Sequence, residues 1–501
     1  MLTSADNGSQ EAITTPLQYE SKTPWKVLLL NGSLILLVVS LFNILDDMKL
    51  DRDWPLYVTI GFVLWVVIYL ISTYKYFNSL YLFTSAYICS LSVFHLGHIV
   101  SHSLGWFNIT YLVKGSMAPW YEQAGWYCLL ALASLGIGKA LSLKSYTTIT
   151  EPTAIDQSAV DTNLSRAFWV GLGLFMASMA ALILVTISVG NIMQFSRAEI
   201  FGGVGDTRGF GFFLVVVPSA IVLMTCTANR GIEKLFAYSM ALLVLLMLLF
   251  LGYRSEALFA AFIGVILWVK LGRKMPISVM VGAIVFVLVA VPASRYLRDV
   301  GPYQDVTGKD IARSVEQSKV QEVFMEIGGT SGIVAYVLKW VPEEYPYRYG
   351  QSYLTAIVDA VPNIGSQISE SEREQLRRQV FINKETLQQM SPSDWFTYHT
   401  SRYMFETGGG SGFSAIAEAY LNLGLAGVII FFSGLGFALG KLEQVDLRMH
   451  PKLLIFSGAL LWPLLKTARN SFGVFTKPFG LIIASILIWK LITFWKSRRG
   501  D

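Results

Sequence analysis

From Thr407 to Gly440 the chain carries a single charged side chain, Glu418, in the stretch GGGSGFSAIAEAYLNLGLAGVII. A carboxylate inside a run that long and apolar normally faces a bundle interior or a wet cavity and marks a functional position. Ser414, Glu418 and Asn422 recur at i, i+4 and i+8, a spacing that predicts one shared helical face. Such a carboxylate can take a proton from a hydroxyl, or it can serve as half of a buried salt bridge. His399, in WFTYHTSRYMFE, is a second candidate base because imidazole titrates near neutral pH. Glu406 in the same segment is a third.

Arginines form the other chemical set. Arg254 lies in a tight turn, LFLGYRSEALF, between two apolar runs; Arg295 and Arg298 stand one turn apart in VPASRYLRDVG. Arg469 sits beside Asn470 and Ser471 in LLKTARNSFGVF, Arg402 three residues after His399, and Arg197 and Arg208 in MQFSRAEIFGGVGDTRGFG. Guanidinium forks match phosphate oxygens in a bidentate way. An array of them at a membrane surface points to a pyrophosphate-bearing lipid; each taken alone could snorkel to headgroups. His95, His98 and His102 fall at i, i+3 and i+7, a spacing able to ligate a metal. No Cys or acidic partner accompanies them, so no metal and no cofactor is expected. The acidic Asp51–Asp53 pair reads as a solvated turn, and Cys89, Cys128 and Cys226 as small buried hydrophobes.

These residues need a scaffold, and composition supplies it. Of 501 residues 53% are hydrophobic and only 15% charged, against about a quarter charged in soluble domains. Apolar runs of the length that crosses ~30 Å of hydrocarbon predict an all-α polytopic membrane protein. Twelve transmembrane helices fit, at 26–45, 55–73, 78–98, 124–141, 167–190, 209–228, 234–252, 256–271, 276–295, 413–440, 452–466 and 474–495. The N-terminal stretch shows no cleavable signal pattern. Lys75, Lys139, Lys144, Arg230, Lys234, Lys270, Arg273, Lys274, Lys441, Arg448 and Lys452 collect in one set of loops, which places both termini in the cytoplasm. The net charge of +5 follows from that distribution and does not imply nucleic acid. The expected organisation is a tail (1–25), nine spans (26–295), a large helical periplasmic loop capping the outer face (296–412), three spans (413–495) and a second tail (496–501). On that orientation the arginines above gather on the face where cations are disfavoured. The cap is rich in aromatics, whose faces stack on sugar rings. Tyr353, Tyr398, Tyr420 and Asn422 are the candidate sugar contacts.

GYRSE at a short turn, YRYGQSYL and VPN in the large loop, GGGSGFSAIAEAYLNLGLAG, and finally ARNSF together resemble the O-antigen repeat-unit polymerases of the Wzy type. The resemblance runs from about 170 to 495. It implies an inner-membrane glycosyltransferase with the GT-C-like architecture shared with O-antigen ligases. In that family a chain on undecaprenyl pyrophosphate passes to a fresh lipid-linked unit at the periplasmic face. It further implies that Arg254, Arg295 and Arg469, with Arg298 and Arg402 nearby, bind pyrophosphate. His399 or Glu418 would activate the acceptor, with Arg254 counted among the catalytic groups. Expected partners are the two lipid-linked oligosaccharides, the bilayer, a chain-length regulator and a flippase. A ligase or oligosaccharyltransferase is the nearest alternative enzyme. A flippase is the alternative transporter, disfavoured by the lack of repeated halves.

Overall fold

The computed structural model describes residues 23–45, 53–143, 157–189, 208–250, 253–274, 327–358, 382–406 and 410–476, with isolated positions beyond. Among them every regular element is helical. The long helices are α1 (Thr23–Leu45), α2 (Trp54–Phe77), α3 (Phe83–Ser103), α5 (Ala118–Ser142), α6 (Gln157–Val189), α7 (Arg208–Thr227), α8 (Gly231–Phe250) and α9 (Arg254–Lys270). A short α4 (Thr110–Val113) precedes α5. After the capping segment come α15 (Ala415–Glu443) and α16 (Pro451–Lys466), the latter continuing into a 3₁₀ turn, Thr467–Arg469. Prolines mark the starts of α2, α5 and α16, where the missing N–H costs nothing.

Seven of these helices, α1, α2, α3, α5, α6, α8 and α15, are long and apolar enough to cross a membrane. Helices α7, α9 and α16 coincide with expected spans but are shorter or carry a shorter apolar stretch. The expected span at 276–295 and nearly all of that at 474–495 lie outside the described residues. Side chains on the outside of α1, α2, α6 and α8 include Ile35, Phe42, Leu64, Leu184 and Leu242. That is the reverse of a soluble surface and suits hydrocarbon.

Helix α5 is the centre of the bundle and packs closely on α15. A Cβ on Gly138 would lie 1.9 Å from the Ser433 carbonyl oxygen, and one on Gly436 2.1 Å from that of Leu135. Only glycine lets the backbones meet this closely. Gly434, two residues before Gly436, faces open space instead. A second core joins Phe168 and Phe175 of α6 with Phe213, Val217 and Met224 of α7 and Val244 of α8.

The capping segment contributes a 3₁₀ turn (Gly328–Thr330), α10 (Ser331–Trp340), α11 (Gln351–Val358), α12 (Lys384–Gln389), α13 (Pro392–Thr400) and α14 (Arg402–Glu406). Asn383 and Ser391 cap α12 and α13 with side-chain oxygens that accept from Thr386 N and Asp394 N. Gly328 rests on α3, where a Cβ would come within 2.7 Å of Gly97 Cα. Tyr336 and Trp340 of α10 pack against Phe396, and Trp340 also meets Trp395 of α13.

Lys139, counted above among loop cations, is instead fully buried in α5. Its Nζ lies 3.2 Å from Glu443 Oε2, with neither side chain exposed. It also donates to the Tyr69 hydroxyl at 2.9 Å. The other Glu443 oxygen accepts the Thr84 N–H at 2.7 Å, capping α3, and Lys270 donates to the Glu443 carbonyl. Four helices are tied together by one buried carboxylate and its backbone. Removing one member leaves an uncompensated charge, so Glu443→Gln should destabilise by about 3–5 kcal/mol. The double change Lys139→Met with Glu443→Leu should recover most of this in thermal unfolding of the detergent-solubilised protein.

Candidate active site

Helix α15 breaks soon after it begins. Leu423 (φ −138°, ψ 21°) and Gly424 (φ 59°, ψ −144°) leave helical geometry. That combination at residue 424 is open essentially to glycine alone. A broken helix frees carbonyls that must find donors, and inside a bundle no water supplies them. The capping segment does. The Arg348 N–H donates to the Leu421 carbonyl and the Tyr349 N–H to that of Asn422, both at 2.9 Å. The Gly350 N–H completes the joint on Asn422 Oδ1 at 3.0 Å. Tyr349 and Gly350 both take positive φ to make the turn.

Arg348 fixes this loop from its other side. Its guanidinium donates to the carbonyls of Met390 (2.7 Å) and Leu387 (3.3 Å), and its Cζ lies 5.6 Å from the Trp395 ring centre. Burial pulls its pKa down to about 10, while Glu418 acts in the opposite direction. The side chain is therefore a buried cation at neutral pH.

Glu418, 1% exposed, occupies the first turn of α15, where the helix dipole favours an anion. Its Oε1 accepts from Ser352 Oγ at 2.8 Å, and its Oε2 accepts the Phe472 N–H at 2.6 Å. Asn422 donates to Ser352 Oγ at 2.7 Å and to the Glu418 carbonyl at 2.8 Å. Glu418 and Asn422 thus share a face, as their spacing predicts. Ser414 does not continue it, because it is the N-cap of α15, accepting from Ile416 N and Ala417 N. Ser414 Oγ also lies 2.7 Å from His95 Nε2. His95 Nδ1 faces the Leu91 carbonyl at 2.9 Å and must be the donor there. The ring is then the Nδ1–H tautomer and Ser414 donates to Nε2.

Two of the arginine turns meet at this end of the bundle. Glu256, two residues after Arg254, is ion-paired with Lys466, three residues before Arg469. Ser255 Oγ donates to the other Glu256 oxygen at 2.7 Å. The pair docks the start of α9 on the end of α16. The Arg469 guanidinium lies 5.7 Å from the Phe94 ring centre of α3, and its carbonyl accepts the Phe413 N–H at 3.1 Å. The Arg469 turn is thereby joined to Arg254 on one side and to Glu418, through Phe472, on the other.

His399 sits in an aromatic box. The rings of Trp340, Tyr345, Trp395 and Tyr398 have centres 5.1–5.3 Å from the imidazole. Its Nε2 is buried with no hydrogen-bond partner. Burial lowers its pKa, so the ring is a neutral imidazole at neutral pH. Arg402 is ion-paired with Glu406 at 2.7 Å and lies over the Tyr398 ring at 4.7 Å. Tyr353 stacks on Phe431 at 5.6 Å, and the buried Tyr420 donates its hydroxyl to the Val341 carbonyl at 3.2 Å. Arg295, Arg298 and Arg197 lie outside the described residues.

The family model of the O-antigen polysaccharide polymerase Wzy matches residues 29–499, nearly the whole chain. The chain belongs to that family. No curated protein and no solved structure matches it. The Wzy polymerases join O-antigen repeat units, a glycosyltransferase-type activity on lipid-linked oligosaccharides in a membrane. The multi-pass helical bundle agrees with that work.

Several groups of this Wzy family member carry no signal in a linear reading. Arg348, Ser352, Glu256 and Lys466 are all bonded to residues far away in sequence. The histidines of α3 have separate uses: His98 Nδ1 meets the Tyr111 hydroxyl at 2.6 Å and His102 Nδ1 accepts the Ile109 N–H at 3.1 Å. Cys128 and Cys226 are buried as expected, whereas Cys89 is exposed on α3. Arg348→Ala strands two buried carbonyls, at a cost of about 2–5 kcal/mol. Limited proteolysis of the 382–406 region should accelerate while helical circular dichroism stays the same. Arg348→Lys should behave alike, since one ammonium lacks the planar fork.

Proposed function

We propose that the chain polymerises oligosaccharides carried on undecaprenyl pyrophosphate at the periplasmic face of a bacterial inner membrane, with both termini in the cytoplasm. Arg254 and Arg469 bind the donor pyrophosphate, with Arg295 and Arg298 assigned beside them from their sequence positions and Arg402 at the cap. The observation that carries this reading is the Glu256–Lys466 ion pair, which docks two separate arginine turns against each other beside the aromatic cap.

The chemistry needs little else. The acceptor hydroxyl oxygen bonds to the donor's anomeric carbon as the bond from that carbon to the pyrophosphate oxygen breaks. The electron pair leaves on the pyrophosphate, where preorganised guanidinium groups stabilise the growing charge. The acceptor proton passes to a base within hydrogen-bond reach. His399 suits that role: it is neutral, half-buried and has an unpartnered Nε2. Tyr398, beside His399, and Tyr353 supply rings able to stack on pyranoses. Glu406 is engaged by Arg402, and Tyr420 and Asn422 support the site from within the protein.

Proteoliposomes containing the chain and a lipid-linked oligosaccharide test the reading directly. Lengthening of the glycan without transbilayer movement supports polymerisation; movement without new glycosidic bonds would identify a flippase and defeat it. Arg254→Ala and Arg469→Ala should each slow lengthening by about 10²–10³-fold, the cost of removing one charge-stabilising donor. A base works deprotonated, so kcat/KM should rise with pH through the His399 pKa and level off above it. That limb should fall below about 6.5, the ordinary imidazole value, and His399→Gln should lower the plateau and abolish the limb.

A further inference from the structure

The Arg469 turn is held from three sides. Lys466, before it, is paired with Glu256. At its centre the Arg469 carbonyl accepts the Phe413 N–H, next to Gly412, whose φ of 74° lets the chain pass close by. After it, the Phe472 N–H donates to Glu418 Oε2 at 2.6 Å. The opposite oxygen of that carboxylate accepts from Ser352 Oγ, on α11 of the cap, at 2.8 Å. Ser352 in turn is held by Asn422, at the break that the Arg348–Gly350 loop fills. One carboxylate therefore links the cap to the arginine turn. It is 1% exposed and both of its oxygens are used. A general base must instead reach a hydroxyl of the substrate.

We propose that Glu418 is a positioning residue that couples the seating of cap helix α11 to the orientation of Arg469. The arginine is set for phosphate only when the cap is docked, so two bulky saccharides are in place before the pyrophosphate is gripped. This rests on the assignment of Arg469 to pyrophosphate made above.

Glu418→Gln separates this role from proton transfer. The amide oxygen can accept the Phe472 N–H, and the amide N–H can donate to Ser352 Oγ beside Asn422. Both links survive while the ability to act as a base is lost. The full-length chain, purified in detergent, is titrated with inorganic pyrophosphate, and polymer length is measured in cells carrying each variant as the sole copy. Glu418→Gln should keep long polymer and bind pyrophosphate within about threefold of the parent. Glu418→Ala should weaken pyrophosphate binding by about tenfold, the effect of one lost charge-assisted hydrogen bond. Ser352→Ala, which leaves the carboxylate in place, should weaken binding in the same direction and serves if Glu418→Ala does not fold. Loss of polymer in Glu418→Gln at parental affinity would overturn the proposal, because the carboxylate would then act in the chemistry. Parental affinity in both Glu418→Ala and Ser352→Ala, with weakened binding in Arg469→Ala, would also overturn it. Parental affinity in Arg469→Ala overturns instead the phosphate assignment beneath it.

Discussion

A helix that stops bonding to itself within a bundle must have its carbonyls answered by another part of the chain. In α15 the break at Leu423 and Gly424 frees the carbonyls of Leu421 and Asn422, and the backbone of Arg348 and Tyr349 answers them. The capping segment is thus bonded into the membrane helix rather than resting above it. The rest of the site depends on this joint. Arg348 carries the connection out to α12 and α13 and their aromatic box, while Gly350 and Ser352 carry it inward to Asn422 and Glu418.

The arginine turns are held by acids rather than by each other. Like charges brought together repel, so turns that each carry an arginine need another means of being held side by side. Glu256 provides one by pairing with Lys466. Glu418 reaches the Arg469 turn from behind through a backbone N–H, so its bonds hold the loop without engaging the guanidinium. The Arg469 guanidinium itself lies over the Phe94 ring of α3.

The seven long apolar helices among the described residues were legible because apolar length is a one-dimensional property. The arginine turns were legible as turns, and Glu418 as a charge out of place. Partners were not legible, because they are distant: Ser352 and Glu418 are 66 residues apart, Glu256 and Lys466 are 210, and His95 and Ser414 are 319. Gly424 sits in a run of glycines that reads as helix packing, a role that Gly436 fills and Gly424 does not. Arg348 lies in a tyrosine-rich loop where no spacing marks it out, yet it is buried. Lys139 follows the charge bias of cytoplasmic loops so well that its burial against Glu443 leaves no trace in the pattern.

The two carboxylates of α15 show how chemistry separates a structural acid from one that holds a site. Glu418 and Glu443 stand in the first and last turns of α15, on either side of the break at Leu423 and Gly424. Glu443 is neutralised by a buried ammonium and caps α3, so it joins α15 to α5 and α3. Glu418 is held by one hydroxyl, one backbone N–H and the start of its own helix. A hydroxyl and an N–H release an anion at far lower cost than a paired ammonium in a dry interior. The weaker set of partners stands at the end where the cap meets the Arg469 turn.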